Sequence, residues 1–179
     1  MSNLGQKNID FSYTIIDQLI SHGVDFFCIS PGARNTSLVL SIAKHKKARS
    51  ITHSDERAIS YLGLGYAKAT KKPACIITTS GTAVGNCLPA IMESYYSNTP
   101  LIVITADRPI EKRLFGDNQS ADQIKIFQNY VNWQICFSPS DKSLNKDFIK
   151  TVIAYANYSS CIKKGPVHIN CAFREPFFD

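Results

Sequence analysis

The chain contains 179 residues, of which 44% are hydrophobic, so it can build one well-buried domain and is too short for two of typical size. Its formal net charge of +6 permits anion binding but cannot separate nucleic acid from small carboxylates or phosphates. Because the basic residues cluster where predicted helices end, a solvated surface explains much of this charge. The longest apolar run is too short to cross a bilayer and the start lacks a signal-peptide pattern, which predicts a cytoplasmic protein.

Apolar runs bounded by turn residues recur along the chain and predict six β-strands. They cover residues 26–30, 50–53, 74–79, 101–106, 132–137 and 167–171. Because these runs are apolar almost throughout, we expect strands that are covered on both faces. Helix-length segments cover residues 13–22, 35–46, 56–70, 82–97 and 145–158. This alternation predicts an α/β fold, a doubly wound and mostly parallel six-stranded sheet with helices on both faces.

Six cysteines are scattered singly, with no Cys-x-x-Cys spacing, and most of them lie inside apolar runs. They are Cys28, Cys75, Cys87, Cys136, Cys161 and Cys171. We therefore expect buried structural thiols in a reducing compartment rather than a metal site or disulfides.

Three predicted strand-to-helix turns carry side chains that are suited to catalysis or ligand binding. They are Ser-Pro-Gly-Ala-Arg at 30–34, His-Ser-Asp-Glu-Arg at 53–57 and Thr-Ser-Gly-Thr-Ala at 79–83. Open α/β sheets bind ligands at the carboxyl ends of their strands, so these turns predict a ligand-binding edge. The two turns that contain glycine, 30–34 and 79–83, match neither a dinucleotide fingerprint nor a phosphate loop. The long polar segment 107–123 follows another strand, and long loops in compact domains are often functional.

The residue types leave alternatives open at this edge. Glu56 is either a first-turn carboxylate that complements the helix dipole, a role that Asp55 could share, or a proton-handling residue in a cleft. Arg34 and Arg108 either recognise an anion or form ion pairs, for which the candidate partners are Asp55, Asp107 and Asp122.

Gly63 and Gly65 lie inside a predicted helix that is rich in small residues. A glycine within a helix is a poor phosphate cradle, and its usual explanation is close packing against a neighbouring element. The small side chains would also let another backbone approach closely, which makes this helix a candidate subunit interface.

Six motifs together resemble the family of 2-succinyl-5-enolpyruvyl-6-hydroxy-3-cyclohexene-1-carboxylate synthases, thiamine-diphosphate enzymes of menaquinone biosynthesis. The motifs are the three turns, Thr-Ala-Asp-Arg-Pro at 105–109, Asn-Gln-Ser-Ala-Asp-Gln at 118–123 and Gly-Pro-Val-His-Ile-Asn at 165–170. The resemblance implies that residues 1–179 form a single N-terminal, pyrimidine-binding domain. The middle domain and the diphosphate-binding domain, which would hold Mg²⁺ or Mn²⁺, are expected outside this chain. The isolated chain is therefore expected to be inactive.

The resemblance also implies roles for individual residues. Glu56 would be the catalytic carboxyl that hydrogen-bonds N1′ of the cofactor's aminopyrimidine and exchanges a proton with it. The remaining implied binding residues are Pro31 and Thr82 for the cofactor and Arg34, Arg108, Asn118 and Gln119 for isochorismate. The implied reaction decarboxylates 2-oxoglutarate and adds the resulting succinyl-semialdehyde unit to isochorismate. No metal ligand is expected within this chain.

The family binds its cofactor between subunits, so the resemblance implies a homodimer or homotetramer, without nucleic-acid or membrane partners. Ala33 stands where the family often has serine, so a hydroxyl contact there is not expected. Two rival interpretations stay open: the chain is a separate pyrimidine-domain subunit of a split 2-oxoacid decarboxylase, or a non-catalytic binding module of the same fold.

Overall fold

The computed structural model describes residues 4–113, 115–139 and 145–178, so the predicted domain limits, Met1 and Asp179, lie outside the described residues. Six strands form one sheet: β1 Phe26–Ile29, β2 Arg49–Thr52, β3 Ala74–Thr78, β4 Leu101–Asp107, β5 Trp133–Phe137 and β6 Pro166–Ala172. Their order across the sheet is β2-β1-β3-β4-β6-β5, and every neighbouring pair is parallel. The predicted six-stranded parallel sheet is confirmed.

The sheet is covered by helices on both faces, as predicted. The α-helices are α1 Leu4–Ser21, α2 Thr36–Lys44, α3 Glu56–Thr70, α4 Thr82–Asn86, α5 Leu88–Tyr96 and α6 Lys146–Cys161. On one face, α1 packs against α2 and α6 over a core that includes Ile15, Leu38 and Ile153. On the opposite face, α3 packs against α4 and α5 over a smaller core that includes Ile59 and Ile91. The doubly wound arrangement follows from these two cores.

Burial of the strands agrees with the apolar runs inside the sheet and departs from them at its two edge strands, β2 and β5. All residues of β3, β4 and β6 are buried, because these strands lie inside the sheet between the two helical layers. All four residues of β2 are exposed. The prediction that this run is covered on both faces was wrong, since β2 is an edge strand and three of its residues, Arg49, Ser50 and Thr52, are polar. In β5 only Phe137 is buried and Cys136 is exposed, so the prediction of cover on both faces was wrong there as well.

Two predicted helices differ from the structure. The first begins at Leu4 rather than at residue 13, because the polar start is anchored by Asn8, whose buried amide donates to the carbonyls of Arg174 and Pro176. The predicted helix 82–97 is two helices that meet at Cys87. Pro89 has no backbone N–H and is tolerated only in a first helical turn, so α5 begins anew at Leu88.

Four of the six free cysteines are buried as predicted, whereas Cys136 is exposed and Cys161 is half-buried. Burial raises the pKa of Cys28 and of Cys87 to about 12, so these thiols behave as small core residues. No helix within the described ranges combines the length and the apolar character that a membrane crossing requires.

The two glycines of α3 occupy opposite environments. A Cβ on Gly63 would lie 3.3 Å from Cys28 Sγ and 3.4 Å from a side-chain carbon of Ile76, so the helix lies directly on the sheet at that point. A Cβ on Gly65 would have no atom within 4 Å. The predicted close packing is confirmed for Gly63 and is absent at Gly65.

A matched pair of substitutions tests this contact. Gly63→Leu should destabilise the fold by about 2 kcal/mol or more, because the longer side chain must displace the sheet. Gly65→Leu should stabilise it by about 0.5–1 kcal/mol through helix propensity alone. Urea denaturation measures both changes, and the same sign at both positions would contradict the packing described here.

Candidate active site at the carboxyl edge of the sheet

Three segments that follow parallel strands are pressed together at the carboxyl edge of the sheet. A Cβ on Gly32, in the turn after β1, would lie 2.6 Å from Thr79 Cβ in the turn after β3. A Cβ on Gly81, whose φ is +80°, would lie 2.8 Å from the carbonyl oxygen of Gln119. Because glycine alone tolerates these approaches, the two turns and the long segment after β4 form one continuous surface.

Asp55 and Glu56 are neighbours in sequence, but their side chains make different kinds of contact. Asp55 is the N-cap of α3, and its carboxylate accepts a 2.9 Å hydrogen bond from the N–H of Ala58. That bond lowers the pKa of the Asp55 carboxyl. Because Asp55 caps the helix, the side chain of Glu56 is available for other contacts.

The Glu56 carboxylate is held by two neutral donors. Ser30 Oγ, from the turn after β1, donates to Oε1 at 3.2 Å, and Asn86 Nδ2, from α4, donates to Oε2 at 3.0 Å. The side chain is half-buried and borders an open cleft that Ser54, Arg57 and Asn86 also line. A carboxylate fixed in this way, with oxygen lone pairs left free, can accept or share a proton of a bound group. This geometry favours the proton-handling alternative, and the catalytic role of Glu56 stays a prediction.

Arg34 is 94% buried, although it carries a charge. Its guanidinium donates to the carbonyl of Phe173 and to Glu175 Oε1, each at 3.0 Å, and stacks 4.6 Å from the ring centroid of Phe177. Its Nε has no hydrogen-bond partner. Burial lowers the pKa of Arg34, and the positive charge of Arg108 lowers it further, against the opposing effect of Glu175.

Arg108 is similarly buried, with 7% of its surface exposed. It donates to Ser80 Oγ, and its Nε lies 3.5 Å from Asp117 Oδ2 without forming a hydrogen bond. The carboxylates of Glu175 and Asp117 are 58% and 36% exposed, so water weakens their compensation of the two buried cations. Two adjacent guanidinium groups with unsatisfied N–H groups are suited to bind an anion.

The ion pairs considered from sequence are not the ones that form. Within the described residues, Arg34 pairs with Glu175 and Arg108 with Asp117, while Asp107 pairs with Arg113 at 2.8 Å. Glu175 is 141 positions from Arg34 in the chain, so only the return of β6 beside the first turn brings them together.

The remaining predicted site residues lie at the same edge. Pro31 directly follows Ser30, and Thr82 lies one helical turn before Asn86 on α4; Ser30 and Asn86 are the two residues that hold Glu56. Asn118 and Gln119 are exposed, and Gln119 Nε2 donates to the carbonyl of Ser80 at 3.1 Å. Their binding roles stay predictions.

Sequence reasoning missed several residues that support this site. Ser30, Ser80 and Gln123 all lie within the quoted motifs, yet nothing in the sequence assigned them a contact. Asn86 lies four positions after Thr82, and this helical spacing was the available signal. Asp117 lies in the long polar segment 107–123, and the length of that segment was the available signal.

A buried polar network lies beneath the arginines. Asn170 Nδ2 donates to Asp107 Oδ2 at 2.7 Å, and Asn170 Oδ1 accepts from Thr105 Oγ1 and from Gln123 Nε2. Because Thr105 donates its one hydroxyl hydrogen to Asn170, His168 Nε2 must be the donor in its 2.7 Å contact with Thr105 Oγ1. Burial raises the pKa of Asp107, and the hydrogen bond from Asn170 and the charge of Arg113 act in the opposite direction.

Across the described ranges, no group of three or more His, Cys, Asp or Glu side chains is arranged to hold a metal ion. The described part of the edge brings together the Glu56 carboxylate, the two buried arginines and neutral hydrogen-bonding groups.

A family model described as "Thiamine pyrophosphate enzyme, N-terminal TPP binding domain" matches residues 9–129. The chain belongs to this family. The matched range includes Glu56, both buried arginines and the two glycine turns, and its parallel α/β architecture agrees with the sheet described above.

Individual relatives agree with the resemblance. Proteins named 2-succinyl-5-enolpyruvyl-6-hydroxy-3-cyclohexene-1-carboxylate synthase from Rubrobacter xylanophilus and Salinibacter ruber are 43% and 41% identical, over 91% and 90% of this chain. One of the same name from Pelodictyon phaeoclathratiforme is 43% identical over 97% of it. The chain spans only 28–30% of the length of these relatives.

The buried histidine of the network makes stability depend on pH. Burial lowers the pKa of His168 to about 3, whereas an unfolded histidine has a pKa of about 6.5. Between these values the unfolded state binds more protons, so the free energy of unfolding falls as pH falls. Full neutral-pH stability is present above about 6.5, and this residue should account for a loss of about 2 kcal/mol between pH 7 and pH 5.

Urea denaturation at these two pH values tests the effect. His168→Gln should remove most of this histidine's contribution to the difference, whatever the variant's absolute stability. His53→Gln, at an exposed histidine, should keep it. An unchanged difference in the His168 variant would mean that this residue is not buried in its neutral form.

Proposed function

We propose that this chain is the single pyrimidine-binding, N-terminal domain of an enzyme that makes 2-succinyl-5-enolpyruvyl-6-hydroxy-3-cyclohexene-1-carboxylate from 2-oxoglutarate and isochorismate. The observation that carries the proposal is the Glu56 carboxylate, held by Ser30 and Asn86 at the edge of a thiamine pyrophosphate enzyme domain. The names of the similar proteins support the choice of reaction.

The residues at this edge fit the cofactor. A carboxylate oxygen that already accepts one neutral hydrogen bond keeps a lone pair for a ring nitrogen, so Glu56 would share a proton with N1′ of the aminopyrimidine. Pro31 and Thr82 would border the same ring. When bound, thiamine diphosphate supplies a carbon nucleophile that no side chain of this domain provides. Glutamine at position 56 could keep a hydrogen bond but could not exchange the proton.

The arginine pair fits the substrates. Both 2-oxoglutarate and isochorismate carry two carboxylates, and a planar guanidinium binds a carboxylate with two parallel hydrogen bonds. Arg34 and Arg108 would bind isochorismate, with Asn118 and Gln119 adding neutral hydrogen bonds from the exposed segment. Burial of both cations strengthens such contacts, because little water competes for them.

The remaining assignments concern the whole protein. Mg²⁺ or Mn²⁺ would be bound, with the diphosphate, by domains outside this chain. The enzyme would act in the cytoplasm in menaquinone biosynthesis as a homodimer or homotetramer. Tyr61 and Leu62, which are 45% and 40% exposed on α3, support a subunit contact on that face.

In the full-length enzyme, Glu56→Gln should lower turnover roughly 100-fold or more while leaving the fold intact, because a proton-exchanging group is lost. Steady-state kinetics with both substrates measures turnover, and circular dichroism checks the fold. The control is Asp55→Asn, which keeps a good N-cap and should change turnover little. A larger effect at Asp55 than at Glu56 would reverse the assignment.

Arg108→Ala should raise the KM for isochorismate by roughly 10- to 100-fold and the KM for 2-oxoglutarate much less, since a buried charged hydrogen-bonding pair is lost from one subsite. Initial rates at varied concentrations of each substrate measure the two values. The control is Arg49→Ala. Arg49 is an exposed arginine on the edge strand β2, and it pairs with Asp25. Equal increases for both substrates would exclude a selective role for Arg108.

A further inference from the structure

We propose that Gln123 is a positioning residue that fixes Arg108 through two of the elements that hold it, the turn after β3 and the carboxyl end of β4. Gln123 is fully buried and lies in the long segment after β4. The inference deepens the proposed function and rests on it in one respect, namely that Arg108 binds the anionic substrate.

The first support of Arg108 is the turn after β3. Gln123 Oε1 accepts a 2.9 Å hydrogen bond from the N–H of Gly81. The residue before Gly81 is Ser80, whose Oγ accepts from the Arg108 guanidinium. The Gln123 amide therefore fixes the backbone of this turn one residue away from the hydroxyl that orients the arginine.

The second support is the carboxyl end of β4. Gln123 Nε2 donates to the carbonyl of Ala106 and to Asn170 Oδ1, each at 3.0 Å. Asn170 in turn donates to Asp107, whose Oδ1 accepts from the backbone N–H of Arg108 at 2.7 Å. Thus the same amide also restrains the strand end from which Arg108 projects.

Only an amide of this length satisfies all three neighbours. The Gly81 N–H requires an acceptor, whereas Ala106 O and Asn170 Oδ1 require donors. Gln123→Met keeps the approximate length and leaves all three groups without this partner. Gln123→Glu keeps the acceptor for Gly81 but removes the donors at neutral pH.

A double-mutant cycle in the full-length enzyme separates positioning from a purely structural role. Gln123→Met should raise the KM for isochorismate roughly tenfold, about the worth of one hydrogen bond, with little change in the KM for 2-oxoglutarate. In an Arg108→Ala background the same substitution should have no further effect on the KM for isochorismate. Gln128→Met, at an exposed glutamine nearby, is the matched control.

Equal factors in the two backgrounds, or an effect no larger than that of Gln128→Met, would overturn the proposal. Thermal unfolding checks each variant, and if Gln123→Met does not fold, Gln123→Glu is carried through the same cycle. Failure of both to fold would assign Gln123 to stability alone and also overturn the proposal.

A second measurement keeps this inference distinct from the proposed function. Hydrogen exchange of peptides that contain Gly81 and Arg108 should be faster in Gln123→Met than in Gln128→Met, whether or not isochorismate is a substrate. Faster exchange without turnover of isochorismate would remove the proposed reaction and keep the structural basis of positioning. Unchanged exchange in an active enzyme would remove the positioning role alone.

Discussion

Burial of two guanidinium groups at one edge of the sheet is the constraint on which the site depends. A charge removed from water must be paired or bind a counter-ion, and the Arg34 and Arg108 side chains have partly exposed partners, Glu175 and Asp117. Their positions are fixed by hydrogen bonds to rigid elements, the carbonyl of Phe173 for one and the hydroxyl of Ser80 for the other. The edge is thus organised by hydrogen bonds within the chain, and each cation is only partly compensated because its carboxylate partner is in contact with water.

Two neighbouring carboxylates show how the fold allocates roles that chemistry alone leaves ambiguous. Asp55 caps α3, whereas Glu56 turns towards Ser30 and Asn86, which come from different segments of the chain. The cap lets the helix begin without help from Glu56. A carboxylate at the start of a helix is ordinary, but one held between two neutral donors beside an open cleft is suited to proton exchange.

Much of the fold could be predicted from sequence, because continuous apolar runs separated by helix-length segments are typical of a parallel sheet buried on both faces. Errors arose where distant contacts decide: Asn8 anchors the start of α1 to the end of the chain, and β2 is exposed because it is an edge strand. The predicted site residues lie at the edge that their turns indicated. The contacts of Gln123 could not be predicted, since a buried glutamine looks like any other in sequence.

The sequence by itself determined the order of elements, the family resemblance and the residue types available at the carboxyl edge. Local propensity and motif order carry that information, because each depends on residues near one another in the chain. Only the tertiary structure decided which groups meet. The pairing of Arg34 with Glu175, and the network from His168 through Asn170 to Asp107, join segments that are far apart in sequence. Such contacts depend on the packing of β4 against β6, and no local pattern encodes that register.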